Sequence, residues 1–178
     1  MDNIFYASTP HSIIEFDYAT YELRKLSTVN GLSEVGISSI VSNNSQRALV
    51  IGYNSSNVDI IKDDKVINIS SILNSSIIGD KTIYSLYSYS KFVYLCTGFG
   101  IVVIDLEREE IKDTYIIGNN GSQIAVLDIH ISDNFIYALT NNHIKHADIN
   151  SLFLSDAAIW NELATPLGAN FSSLVSEN

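Results

Sequence analysis

With 178 residues, of which 46% are hydrophobic and 17% charged, the chain is long enough to bury a core and too apolar to be a disordered tail. Twenty acidic against ten basic residues give a formal net charge of −10, and Arg24-Lys25 is the only adjacent basic pair, which argues against nucleic acid or bare anionic membrane as a direct partner. No run of 18 apolar residues is present, so no transmembrane helix is expected.

In chain order, the opening "MDNIFYASTP" lacks a basic stretch followed by an apolar one, so no signal peptide is read there. "IFYAST" from Ile4 is the first predicted strand, rich in residues that favour a pleated, half-buried surface. "YELRKLS" from Tyr21 is more polar and fits an outer edge blunted by charge. "GISSIVS" from Gly36 and "ALVIGY" from Ala48 follow, then "NVDII" and the turn "KDDK" at Lys62–Lys65. "TIYSLYS" from Thr82, "FVYLCT" from Phe92, "IVVIDL" from Ile101 and "EIKDTYII" from Glu110 repeat the series, as do "IAVLDIHIS" from Ile124 and "FIYALT" from Phe135.

Tyr6, Val50, Tyr94 and Tyr137 are each the third residue of one strand type, at spacings of 44, 44 and 43 residues. An aspartate 11 residues after the tyrosine recurs at Asp17, Asp105 and Asp148. A period of 40–45 residues built from short strands is the signature of a β-propeller, one four-stranded blade per unit. The expected fold is therefore all-β: about four antiparallel blades with strands A to D from the axis outward. The expectation is an open arc of a larger propeller, with a closed four-bladed ring as the alternative. The whole of 1–178 is read as the N-terminal portion of one propeller domain, in units of approximately 4–47, 48–91, 92–134 and 135–178. "NFSSLV" at Asn170–Val175 is expected to form strand A of a further blade.

The candidate chemistry is sparse. Gly98 and Gly100 bracket Phe99 and imitate a nucleotide-binding loop, but a strand follows where such a loop needs a helix. Asp105, Glu107, Glu109 and Glu110 read as a solvated turn between strands C and D. Cys96, the single cysteine, sits in an apolar run with no adjacent positive group and is expected to be inert. His143 and His146 lie three apart on a strand and point to opposite faces, which disfavours joint metal binding. No catalytic residue, cofactor or metal is expected, and Trp160 is expected to pack within a blade.

The stretches "LSTVNGLSEVGISSI" (Leu26–Ile40), "LVIGYNSSNVDII" (Leu49–Ile61), "GDKTI" (Gly79–Ile83) and "TGFGIVVIDLEREEIKDTYIIG" (Thr97–Gly118) resemble PorZ-type proteins in order and spacing, and the resemblance runs from Ile4 to Trp160. Those proteins are surface components of the type IX secretion system of Bacteroidota, with two propellers and a C-terminal β-sandwich. The resemblance implies a non-enzymatic scaffold, associated with the outer membrane at the cell surface. Its implied partners are the sortase-like PorU and its attachment complex, which links secreted cargo to anionic lipopolysaccharide; lipopolysaccharide contacts would belong to regions not found in this sequence. The alternative reading is the ligand-sensing propeller of a periplasmic two-component receptor.

In an up-and-down blade the turns from B to C and the connections from D to the next A share one face. Most of the motif residues fall there, so Leu32, Ser33, Asn54, Ser55, Asn57, Asp80, Lys81 and Phe99 are the candidate partner-binding residues. Glycines and small polar residues also suit tight turns on structural grounds alone.

Overall fold

A computed structural model of the chain describes residues 3–163 and 171–175. The strands form four antiparallel sheets in sequence order. The first holds β1 (Ile4–Thr9), β2 (Ser12–Asp17) and β3 (Glu22–Leu26). The second holds β4 (Ile37–Asn43), β5 (Ala48–Tyr53), β6 (Val58–Lys62) and β7 (Lys65–Ile69). In the third are β8 (Ile83–Tyr89), β9 (Phe92–Thr97), β10 (Gly100–Asp105) and β11 (Glu110–Tyr115). The fourth comprises β12 (Val126–Ser132), β13 (Phe135–Thr140), β14 (Ile144–Asp148) and a two-residue β15 (Asn161–Glu162).

The repeat read from sequence is the structural repeat. Tyr6, Val50, Tyr94 and Tyr137 are the third residues of β1, β5, β9 and β13, and pair with Glu15, Ile60, Val103 and His146. The inner strands share an irregularity as well: the ladder slips between Ile37 and Ser39, between Ile83 and Ser85, and between Val126 and Asp128. A bulge at one place in each unit twists the inner strand locally in the same way. The first sheet differs in having three strands, because it begins with the B-type strand β1.

Burial explains the composition of the B strands. β5 is buried along its whole length, and its side chains alternate between two cores. Leu49, Ile51 and Tyr53 pack with Ile13, Leu26 and Leu32 toward the first sheet. Ala48 and Val50 pack with Val93, Leu95 and Ile104 toward the third. β9 repeats the division, sending Tyr94 and Cys96 to Ile129, Ile136 and Ala138 of the fourth sheet. A strand with a sheet on either side must be apolar on both faces, whereas β3 meets solvent along most of its length. Phe5 and Leu23, on the outer side of the first sheet, are left 64% and 65% exposed.

The expected strand at 170–175 is not formed over the described residues 171–175, and Asn170 lies outside them. The segment nevertheless lies beside β12, where the Leu174 N–H donates to Asp128 Oδ2 at 2.8 Å. A side-chain carboxylate, rather than a strand ladder, receives that backbone donor.

Candidate functional site

Backbone hydrogen bonds bring the B-to-C turns and the D-to-A connections onto one face. The Pro10 carbonyl accepts from the N–H groups of Gly36 and Ile37. Asn54 N donates to Gly36 O at 2.8 Å, and Gly98 N donates to Thr82 O at 3.1 Å. Ser56 Oγ reaches across to the Lys81 carbonyl at 2.7 Å, tying the turn of the second sheet to the entry of the third. Gly98 is there for space: a Cβ would stand 2.5 Å from the Asp80 carbonyl oxygen. Gly100 has φ +149, and a Cβ there would collide with the Tyr115 carbonyl.

The eight candidate residues divide into two groups. Leu32, Asn57 and Phe99 are buried, at 5%, 7% and 1% exposure, so their side chains cannot meet a partner, contrary to the sequence expectation. Phe99 folds inward among Ile72, Val102 and Leu106, because a phenyl ring at a two-residue turn gains more from the adjacent core than from solvent. Leu32 joins the core between the first and second sheets in the same way.

The polar members lie on the face but are held by their own chain. Ser33 donates to Asp59 through both its backbone N–H (2.8 Å) and its Oγ (2.6 Å). Ser55 Oγ donates to Glu34 Oε1 at 2.5 Å, and Asn54 is exposed. Asp80 accepts from Thr82 N and Tyr84 Oη; the Thr82 hydrogen bonds first, then that of Tyr84, hold its carboxyl below the usual range. Lys81 Nζ caps the Leu73 and Ser75 carbonyls at 3.1 and 2.8 Å.

The face also carries exposed aliphatic side chains that the sequence reading missed. Val29, Val35, Leu73 and Ile78 stand on the first two D-to-A connections at 96%, 54%, 41% and 89% exposure. The sequence gives little signal for them: Val29 and Val35 are single branched residues in loops, Leu73 and Ile78 each follow another aliphatic residue, Ile72 and Ile77, and apolar residues in loops are common on any surface.

Beneath the face, the fully buried Asp59 carboxylate accepts from Ser33, from Tyr53 Oη at 2.6 Å and from Asn68 Nδ2 at 2.8 Å. Burial, and then the bond to Asp59, push the Tyr53 phenol far above its ordinary range, so it stays a donor. The arrangement is a latch, with every carboxylate oxygen satisfied from within the chain.

The remaining candidates are structural. Cys96 is fully buried, and burial pushes its thiol up to about 12. Asp105 accepts the N–H groups of Glu107 and Arg108 and pairs with Lys91 at 3.2 Å, which makes the acidic run a braced turn. His146 stacks on Tyr137, while His143 faces Glu162. Among the described residues, no group of three or more His, Cys, Asp or Glu side chains could hold a metal ion. Trp160 is buried, with its indole N–H donating to the Leu154 carbonyl.

Comparison with known proteins places this geometry. The family model for the N-terminal β-propeller domain of PorZ, of the type IX secretion system, matches residues 5–161. No curated relative matches the sequence. The structure is similar to PorZ of Porphyromonas gingivalis, an essential bacterial surface component of that system, with a TM-score of 0.79 and 26% identity over 91% of this chain and 21% of that one. It also shares its fold with the extracellular domain of the two component system BT4673 of B. thetaiotaomicron (TM-score 0.74, 18% identity, 98% of this chain and 24% of that one). The computationally designed Ika8 protein is similar as well, with a TM-score of 0.67 and 11% identity over 100% of this chain and 51% of that one. The chain thus spans about a fifth of the length of the PorZ structure it matches.

Proposed function

The chain belongs to the PorZ N-terminal β-propeller family of the type IX secretion system, and from that premise we propose that it is a non-enzymatic scaffold that docks a protein partner at the cell surface. The observation that carries this reading is the exposure of Val29, Val35, Leu73 and Ile78 on loops that hydrogen bonds otherwise lock to the blades. Exposed aliphatic side chains on rigid loops lose little on immobilisation and gain by leaving water, which suits them to an interface. The partner is the sortase-like PorU or its associates in the attachment complex, and the chain supports attachment of secreted cargo to anionic lipopolysaccharide.

The test is capture of that sortase-like partner by the chain and by a Val29→Ser, Ile78→Ser double variant. Lost capture with an unchanged melting temperature supports the reading; equal capture rejects this face. The competing reading, a ligand-sensing propeller, draws on likeness of fold alone, since BT4673 is 18% identical.

A further inference from the structure

The sequence contains two Asn-Gly pairs, Asn30-Gly31 between β3 and β4 and Asn120-Gly121 between β11 and β12. Asparagine before glycine is the pair most prone to lose its side-chain amide. The next main-chain nitrogen can swing onto the amide carbon, because glycine has no Cβ to obstruct it and a freer backbone. The fold treats the two pairs in opposite ways.

Asn30 is clamped through both atoms of its amide. Its Nδ2 donates to the Lys25 carbonyl, and its Oδ1 accepts from the Ser27 N–H at 2.5 Å and from Ser27 Oγ at 3.1 Å. These bonds hold the amide carbon against the chain that precedes it, and all of them must open before it can meet the Gly31 nitrogen. Asn120 has no such clamp: its side chain is exposed and makes no hydrogen bond among the described residues. Its backbone has φ 56 and ψ 30, the left-handed region that asparagine tolerates better than most residues. A Cβ placed on Gly121 would meet nothing within 4 Å, so the loop has room to rearrange. The Gly121 N–H donates to the Gly118 carbonyl at 3.0 Å, and such bonds in exposed loops open locally at little cost.

We propose that Asn120 is a deamidation site of the folded protein and that Asn30 is protected. The Gly121 nitrogen attacks Asn120 Cγ; the N–Cγ bond forms, the Cγ–Nδ2 bond breaks, and ammonia leaves with the proton from Gly121. Water then opens the cyclic imide at either carbonyl, giving aspartate or isoaspartate with no change of oxidation state. The new carboxylate stands in a groove of about 830 Å³, where Asn119, Asn120, Asp156 and Trp160 are among the lining residues. Modification therefore makes a polar groove more acidic and, as isoaspartate, lengthens the main chain of the connection. The inference does not depend on the scaffold reading.

The experiment incubates the folded 178-residue chain in mildly alkaline buffer and follows both sites by peptide mapping with mass spectrometry. Enzymatic methyl labelling reads isoaspartate independently. Asn120 should convert at least about tenfold faster than Asn30, whose hydrogen bonds must first open. In guanidinium chloride, where the fold is lost, the two sites should convert at similar rates. Equal rates in the folded chain, or a faster Asn30, would overturn the assignment. So would a preference for Asn120 of the same size in the unfolded chain, since the difference would then belong to local sequence.

Discussion

Asp59 and Lys145 occupy the same register position, one in the second sheet and one in the fourth, and each fastens the connection that enters its own sheet. Asp59 pairs with Ile51 on β5 and holds Ser33; Lys145 pairs with Ala138 on β13 and donates to Asn119 Oδ1 at 3.0 Å and Glu162 Oε1 at 3.1 Å. In the third sheet the position is Val102, which clusters with Ile72. One slot thus carries a carboxylate, an aliphatic group and an ammonium, each matched to the loop above it.

The matching predicts that the slots are not interchangeable. Asp59→Val strands the Tyr53 hydroxyl in a dry site and removes both hydrogen bonds that hold Ser33, and should cost about 2–5 kcal/mol. Lys145→Met should cost less, about 1–3 kcal/mol, because Glu162 is partly exposed and can hydrate. Urea denaturation of the two variants measures both; an equal or reversed ranking would contradict the latch.

Core and face residues in the same loops should separate cleanly. Phe99→Ala empties a buried ring and should cost about 3–5 kcal/mol. Ile78→Ser, on an exposed loop, should change stability by no more than about 0.5 kcal/mol. Thermal unfolding decides, and a large loss for Ile78→Ser would contradict a solvent-facing role for that side chain.

The ionisable groups set an acid limit. Lys145 holds Glu162 below the usual carboxylate range through its hydrogen bond and its charge, and Asp80 is held low by Thr82 and Tyr84. At Asp105 burial acts upward, but Lys91 and the backbone N–H groups of Arg108 and Glu107 outweigh it. Carboxyls with depressed folded pKa values stabilise the fold fully above the unfolded value, near pH 4, and lose that contribution as pH falls through the folded value. The melting temperature should therefore be flat near neutrality and fall below about pH 4. Glu162→Gln should make that fall shallower; an unchanged acid limb would remove Glu162 from the account.

Cys96 should resist a thiol-disulfide exchange reagent in the native chain and react fully once unfolded, since it is buried and its thiol is pushed up to about 12. The purified chain should show no peptidase or esterase turnover. Turnover abolished by Cys96→Ala would overturn the inert reading.

The bare outer side of the first sheet should drive self-association. Phe5 and Leu23 lie on it, with Phe5 paired to Phe16 across the ladder and Phe16 to Leu23. Contiguous exposed apolar surface of this kind favours contact between copies. Light scattering should show oligomers of the 178-residue chain that a Phe5→Lys, Leu23→Glu variant disperses. A sharply melting monomer of the parent chain would favour the closed ring.

Sequence by itself determined the period, the strand types and their register. Alternation along a strand fixes which residues share a face, and a strand between two sheets must be apolar throughout, so "ALVIGY" and "FVYLCT" declare their burial. Loops obey no such period. Phe99 and Ile78 are both apolar residues among Gly, Ser and Asp, yet one is 1% exposed and the other 89%. Phe99 is buried because its turn stands over a core reaching back to Ile72, and Asp59 is satisfied by Ser33, 26 residues earlier. A cleft lined by Tyr94 and Tyr115 likewise needs the wall supplied by Leu154, from the next sheet. Each of these outcomes depends on which segments meet in space, and only the packing of one blade against the next decides that.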